Sequence, residues 1–237
     1  MGLSTEQMFR HIVEMQIELN EKTVPGWLSE GLDWDTAILV EVAEAIDSTN
    51  WKWWKHTDTD LANLKIEAID LLHFLVAQIA DQSWHAWRQA RKPDKAFIDA
   101  ACDHVVKAYS WAMVDSERTK DAGYVLHLKG VARYTLNAVP VQALHELFML
   151  FSALGMGVDD IYKAYITKNL LNHYRQERGY KDPNGGYLKI INEREDNVVF
   201  AAVIDDILRL NARAPLTLKQ VREHAFDLMD RAIIRSD

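Results

Sequence analysis

Two pairs of acids carry the strongest chemical signal in this chain. Glu41 and Glu44 lie in LVEVAEAIDS, and Glu67 and Asp70 lie in LKIEAIDLLHFLV. Each pair is spaced i, i+3 within an apolar pattern of helical period, so both its carboxylates share one helix face. Two such helices side by side would gather four carboxylates. Gathered carboxylates repel one another and are costly to bury. A hard divalent cation such as Mg2+ offsets both penalties, because it takes oxygen ligands. The pattern points to metal-assisted phosphate chemistry. Acids three apart more often mark a solvated helix face, but the neighbours here oppose that reading. Ile66, Ala68, Ile69, Leu71, Leu72, Phe74, Leu75 and Val76 make the second helix apolar nearly all round, as expected of a buried one.

Two further runs add binding chemistry. DSTNWKWWK, residues 47–55, places Trp51, Trp53 and Trp54 beside Lys52 and Lys55. Indoles can wall an aromatic base, which is worth roughly 1–3 kcal/mol per stacked base. The same tryptophans would also serve as core plugs, and the lysines as surface charges. KNLLNHYRQERGY, residues 168–180, sets Lys168, Asn172, Arg175 and Gln176 mostly on one helical face, ahead of a loop with Gly186, Tyr187 and Lys189. Arg and Lys give charge-assisted bonds to phosphate oxygens. A plain polar helix end is the alternative, since cations favour a C-terminus. Acids, aromatics and a cationic loop together describe a nucleoside triphosphate site. The sequence has no P-loop and no Rossmann fingerprint, which excludes the common strand-and-loop nucleotide folds.

The elements that must position these residues are helices. Apolar residues recur at helical spacing and alternating strand patterns are scarce. The spacing predicts helices over about 5–21, 34 or 36 to 48, 60–91 with Asp58 or Thr59 as its cap, 93–115, 140–154, 159–177, 197–213 and 217–235. Residues 116–139 read as one helix weakened by Gly123 and Gly130, and 178–197 as an ordered loop with a small hairpin. The fold class is all-α, a helical bundle. One domain, 1–237, is the simplest account, with 198–237 a candidate C-terminal appendage. The net charge of −8 argues against broad binding to a nucleic-acid backbone. The single Cys102 cannot form an intrachain disulfide and reads as a small core residue in a reducing setting. The charged N-terminus lacks a leader pattern, and no segment approaches the ~20 apolar residues of a membrane span. His145 and Glu146 begin HELFM rather than HExxH, so a zinc-protease site lacks its second histidine.

The motifs taken jointly resemble the dimeric, all-α dUTPases of some bacteria, kinetoplastids and phages, within the wider all-α NTP pyrophosphatase superfamily. The resemblance rests on MQIELN at 15–20, ExxE at Glu41–Glu44, WKWWK at 51–55 and ExxDLLHF at Glu67–Phe74. It extends to KNLLNHYRQERGY, GYLK and EDN within 168–197. Residues 92–140 and those after 200 carry none of it. The resemblance implies hydrolysis of dUTP to dUMP and pyrophosphate with Mg2+, two or more ions per site. It implies that Glu41, Glu44, Glu67 and Asp70 are metal ligands, one of the first pair also activating water. Gln16, Asn20, Trp53 and His73 would form the base and sugar pocket. Lys52, Lys55, Lys168, Asn172, Arg175, Tyr180, Lys189 and Asn197 would contact phosphates. Pro183 and Asn184 lengthen the family's usual loop before Gly186 and Tyr187. A homodimer in the cytoplasm is implied, or in the host cytoplasm for a phage protein, with no nucleic acid or membrane partner. Candidate substrates besides dUTP are dUDP and dCTP. The rival enzyme is a dCTP or mixed dCTP/dUTP pyrophosphatase, because Gln16 as an amide could turn to read either base. Two rivals of another class are a non-catalytic nucleotide-binding regulator, against which all four acids argue, and a purely structural helical protein.

Overall fold

A computed structural model of the chain describes residues 2–90, 96–116, 123–180, 187, 189–191, 193–210 and 216–234. Its contacts divide it into two compact units, Leu3–Tyr165 and the residues from Ile166 onward. In the first unit, α1 (Thr5–Thr23) starts on a capping box. The Gln7 amide donates to Ser4 Oγ (3.2 Å), and the Ser4 amide donates to Gln7 Oε1 (2.8 Å). The helix buries Met8, Phe9, Ile12, Val13 and Leu19 along one stripe. α2 (Trp34–Asp47) starts on Asp33, whose carboxylate accepts from the Thr36 amide. α3 (Leu61–Ala90) packs against α1, α2, α4 (Ala96–Ser116) and α6 (Pro140–Ala153). Partners on several sides explain why its sequence is apolar nearly all round. Leu64, Ala68, Leu71, Leu72, Leu75 and Val76 are all fully buried.

Side-chain bonds pin α2 against α3 at both ends. Trp34 Nε1 donates to Asp81 Oδ2 (3.3 Å), and Gln78 Nε2 donates to Asp35 Oδ1 (2.7 Å). At the opposite end Asn63 Nδ2 donates to Ser48 Oγ (2.8 Å). Positions rising along α2 meet positions falling along α3, so the helices are antiparallel. Asp60, rather than the expected Asp58 or Thr59, caps α3 by accepting from the Asn63 amide (3.0 Å). Thr59 Oγ1 is occupied instead in accepting the Asn50 amide.

The ambiguous stretch before residue 140 contains α5 (Tyr124–Leu136), which packs on α6. Gly130 is there for space. A Cβ on it would lie 2.7 Å from Glu146 Cδ, and Glu146 is held by the buried His127 (3.0 Å). Thus Glu146 of the HELFM string pairs with His127, while His145 pairs with Asp115 (3.2 Å). Pro140 opens α6 as expected, behind Ala138, which takes a left-handed φ of 56°. Cys102 is buried in α4, and burial pushes its thiol up to about 11, ahead of the opposing pull of Arg10.

α7 runs Val158–Glu177. In the second unit its later residues are followed by an antiparallel pair, β1 (Ile190–Ile191) and β2 (Arg194–Glu195), with Ile190 opposite Glu195. This is the small hairpin expected from sequence. α8 (Asp196–Leu210) and α9 (Leu218–Ile234) pack together. Tyr174 of α7 meets Phe200 of α8 and Phe226 of α9 at ring distances of 6.2 and 5.1 Å. Among the described residues this hairpin is the only sheet, and the fold is all-α. The expected helix opening at Pro93, and the loop residues Pro183, Asn184 and Gly186, lie outside the described residues.

Two effects compete in Gly130→Ala. Alanine favours a helix by about 1 kcal/mol over glycine, while overpacking a filled site costs about 1–3 kcal/mol. The variant should lose about 1 kcal/mol in urea unfolding. In a Glu146→Ala background, where the space is vacated, the same change should stabilise the protein. Equal effects in both backgrounds would contradict this packing account.

Candidate active site

The antiparallel register of α2 and α3 sets carboxylates from both helices face to face. Glu41, Glu67 and Asp70 each place an oxygen within 4.8 Å of the others, and all three are half-buried. At that separation two unit charges repel by about 3 kcal/mol at an effective dielectric of about 20. A dication among them turns repulsion into attraction, and the all-oxygen donor set suits Mg2+. Asn63, one helical turn before Glu67, donates to Glu67 Oε1 (3.2 Å) with the same amide nitrogen that holds Ser48. It ties a candidate ligand to the end of α2. The sequence reading missed Asn63, although its i−4 spacing from Glu67 was a usable signal. Glu44, the fourth predicted acid, stands outside the cluster with an exposed side chain.

The tryptophan run forms a loop stapled at its base. The Asp60 amide donates to the Ser48 carbonyl (2.8 Å) beside the Asn50–Thr59 bond. Asp47 anchors its start, accepting from Lys52 Nζ (2.8 Å) and Trp51 Nε1 (3.2 Å). Those two bonds, Lys52 first, hold the Asp47 carboxyl below the usual aspartate range. Trp54 meets Trp51 and Trp53 edge-on at 5.3 and 5.4 Å. Trp53 is 89% exposed and Lys55 is exposed, so neither is a core plug.

Gln16, Asn20 and His73 do come together, through a residue the sequence reading did not single out. Tyr165 Oη donates to Gln16 Oε1 (2.6 Å), and Gln16 Nε2 donates to Asn20 Oδ1 (2.8 Å). The Tyr165 ring stacks on His73 with centroids 4.1 Å apart and planes 15° apart. His73 Nδ1 lies 2.8 Å from the Ile69 carbonyl. A carbonyl only accepts, so Nδ1 carries the proton and neutral His73 has an acceptor at Nε2. Asn20 Nδ2 is buried with no hydrogen-bond partner. Such an orphaned donor costs about 1–3 kcal/mol, which an incoming acceptor would relieve. A separate cavity of about 280 Å3 lies along the second half of α3, lined in part by Ser83, Trp87 and His104, and holds none of the predicted residues.

The second unit holds the other predicted phosphate contacts. Arg175 makes a two-pronged bond to Asp196, from Nε to Oδ2 (2.8 Å) and from Nη2 to Oδ1 (2.7 Å). Tyr187 Oη donates to Asp196 Oδ2 (2.6 Å). Asp196 is 1% exposed, and burial alone would raise its carboxyl. The bonds from Arg175 and Tyr187 outweigh burial and hold it below the ordinary 3.8. Tyr180 lies under two cations, Arg175 at 5.4 Å and Lys189 at 5.5 Å. Lys168, Asn172 and Asn197 are half-buried. Asn169 and His173, which the sequence reading passed over, are buried polar residues one turn apart on α7.

A depressed carboxyl stabilises the fold above its unfolded pKa and loses that contribution as pH falls through the folded value. For Asp196 the window lies below about pH 3.8. Asp196→Asn should therefore lower the Tm at neutral pH. The gap to the native protein should close as pH drops below that value. A gap that stays constant down to about pH 2 would contradict the ion-pair account.

The dUTPase family model matches residues 8–180, more than half of the chain. No curated protein matches it. The match spans the carboxylate cluster, the tryptophan loop, the Gln16–Asn20–His73–Tyr165 group and Arg175. It is joined to an all-α fold that fits the same family. The chain belongs to the all-α dUTPase family, and with that membership goes dUTP diphosphatase activity.

Proposed function

We propose that the protein cleaves dUTP to dUMP and pyrophosphate in a Mg2+-dependent reaction, with two or more ions at the carboxylate cluster. The observation that carries this reading is the convergence of Glu41, Glu67 and Asp70 oxygens within 4.8 Å. A divalent ion held there supplies charge neutralisation for the triphosphate and makes a nearby water more acidic. Glu41, Glu67 and Asp70 provide the ligands. Glu44 lies one turn along the same helix from Glu41, outside the tightest group, and is exposed. That position suits a base that orients the attacking water and takes its proton. Gln16, Asn20 and His73 bind the base and sugar, with Trp53 as a wall. Lys52, Lys55, Lys168, Asn172, Arg175, Tyr180, Lys189 and Asn197 hold phosphate oxygens and offset charge as it develops there. Arg175 is braced for this by Asp196, which fixes its planar fork.

We also propose that the chain acts as one catalytic domain, assembled as a homodimer in the cytoplasm. Among the described residues no single helix is long and apolar enough to cross a membrane. Exposed Trp111, Met113 and Val114 cluster at the end of α4 and would suit burial against a second copy.

Pyrophosphate release from dUTP against Mg2+ concentration separates the acids. Glu44→Gln should lower kcat by roughly 10^2–10^4-fold with its Mg2+ midpoint little changed. Glu67→Gln should need roughly tenfold or more Mg2+. Full activity without divalent metal, or identical Mg2+ curves for both variants, would overturn these roles.

A further inference from the structure

We propose that Tyr165 is a positioning residue that sets which base the pocket accepts, by fixing the direction of an amide relay. The inference rests on the dUTP reading above and deepens it. An amide pair such as Gln16–Asn20 has two polarities. In one, nitrogen of the first donates to oxygen of the second, and the pair ends in a free N–H. In the other, every bond is reversed and the pair ends in a free carbonyl. Nothing in the pair itself chooses between them. A phenol hydroxyl can donate or accept, and here that of Tyr165 donates, which selects the first polarity. It donates to Gln16 Oε1 (2.6 Å), which turns Gln16 Nε2 toward Asn20 Oδ1 (2.8 Å) and leaves Asn20 Nδ2 as the terminal donor. Asn20 Nδ2 is buried and has no hydrogen-bond partner.

A terminal N–H selects by chemistry. Uracil carries a carbonyl at position 4, which accepts it. Cytosine carries an amino group there, which would set two donors against each other. A site built around one buried donor rejects the partner that cannot accept. Tyr165 is 0% exposed, and its ring is stacked on His73, so the hydroxyl has little freedom to leave the relay. The relay is a buried network in which each bond orients the next.

The test compares kcat/KM for dUTP and dCTP, with Mg2+, in the unmodified protein, Tyr165→Phe and Asn20→Asp. The phenylalanine keeps the ring on His73 and removes only the hydroxyl. Its dUTP-over-dCTP ratio should fall roughly tenfold or more, chiefly through dCTP becoming a better substrate, with the Mg2+ midpoint unmoved. Asn20→Asp replaces the terminal donor by an acceptor and should shift preference toward dCTP. A merely structural role for Tyr165 would lower both substrates alike and leave the ratio unchanged. An unchanged ratio in Tyr165→Phe overturns the relay while leaving dUTP hydrolysis intact. Should that variant fail to fold, an unchanged ratio in Asn20→Asp overturns it as well. An unmodified protein that prefers dCTP, or cleaves neither, overturns the dUTP reading and the relay together.

Discussion

Mutual repulsion among Glu41, Glu67 and Asp70 is the constraint around which the larger unit is arranged. Three carboxylate oxygens within 4.8 Å of one another repel when charged. They stay together because their backbones are not free to part. α3 is locked by fully buried Leu64, Ala68, Leu71, Leu72 and Leu75, with partners on several sides. α2 cannot slide along it, since Trp34–Asp81 and Gln78–Asp35 fix one end and Asn63–Ser48 the other. The acids lie between those fasteners. Packing holds in place a charge arrangement that a divalent cation would stabilise, which is a form of preorganisation.

The polar groups of the two units fall into two kinds. Some are committed to protein partners and serve geometry. Asp47 holds Trp51 and Lys52, Asp196 holds Arg175 and Tyr187, and Glu146 holds His127 against Gly130. Others face outward or end a chain of bonds. Glu44 is exposed beside the cluster, Trp53 is 89% exposed on a loop stapled at its base, and Asn20 Nδ2 terminates a relay. A group of the second kind keeps bonding capacity that the fold has not used.

Much of this was legible in the sequence, and the limits have physical reasons. The i, i+3 acid pairs within apolar runs were enough to expect two packed helices with facing carboxylates. The spacing could not say that Glu44 stands apart, because that depends on the rotation of α2 against α3. Gln16, Asn20, Trp53 and His73 were expected to share a pocket through the family resemblance, and three of them, Gln16, Asn20 and His73, are linked through Tyr165. Tyr165 was missed because its contact with Gln16 spans 149 positions and no local pattern marks it. Gly130 weakened the expected helix, yet the glycine makes room for Glu146, a tertiary need that helix propensity does not see. The cap of α3 moved from Asp58 or Thr59 to Asp60 because neighbouring acceptors compete for the same few amides. Arg175 read as a phosphate ligand, but its fork is already filled on one side by Asp196.

The central claim is that the three-carboxylate cluster is a divalent metal site. Mn2+ titration followed by electron paramagnetic resonance tests it without depending on turnover, since bound Mn2+ loses the sharp signal of the free ion. The account predicts that the native protein binds Mn2+, that Mg2+ competes it away, and that Asp70→Asn sharply weakens the binding. Native protein that leaves the free-ion signal unchanged, with and without a non-hydrolysable dUTP analogue, would contradict it.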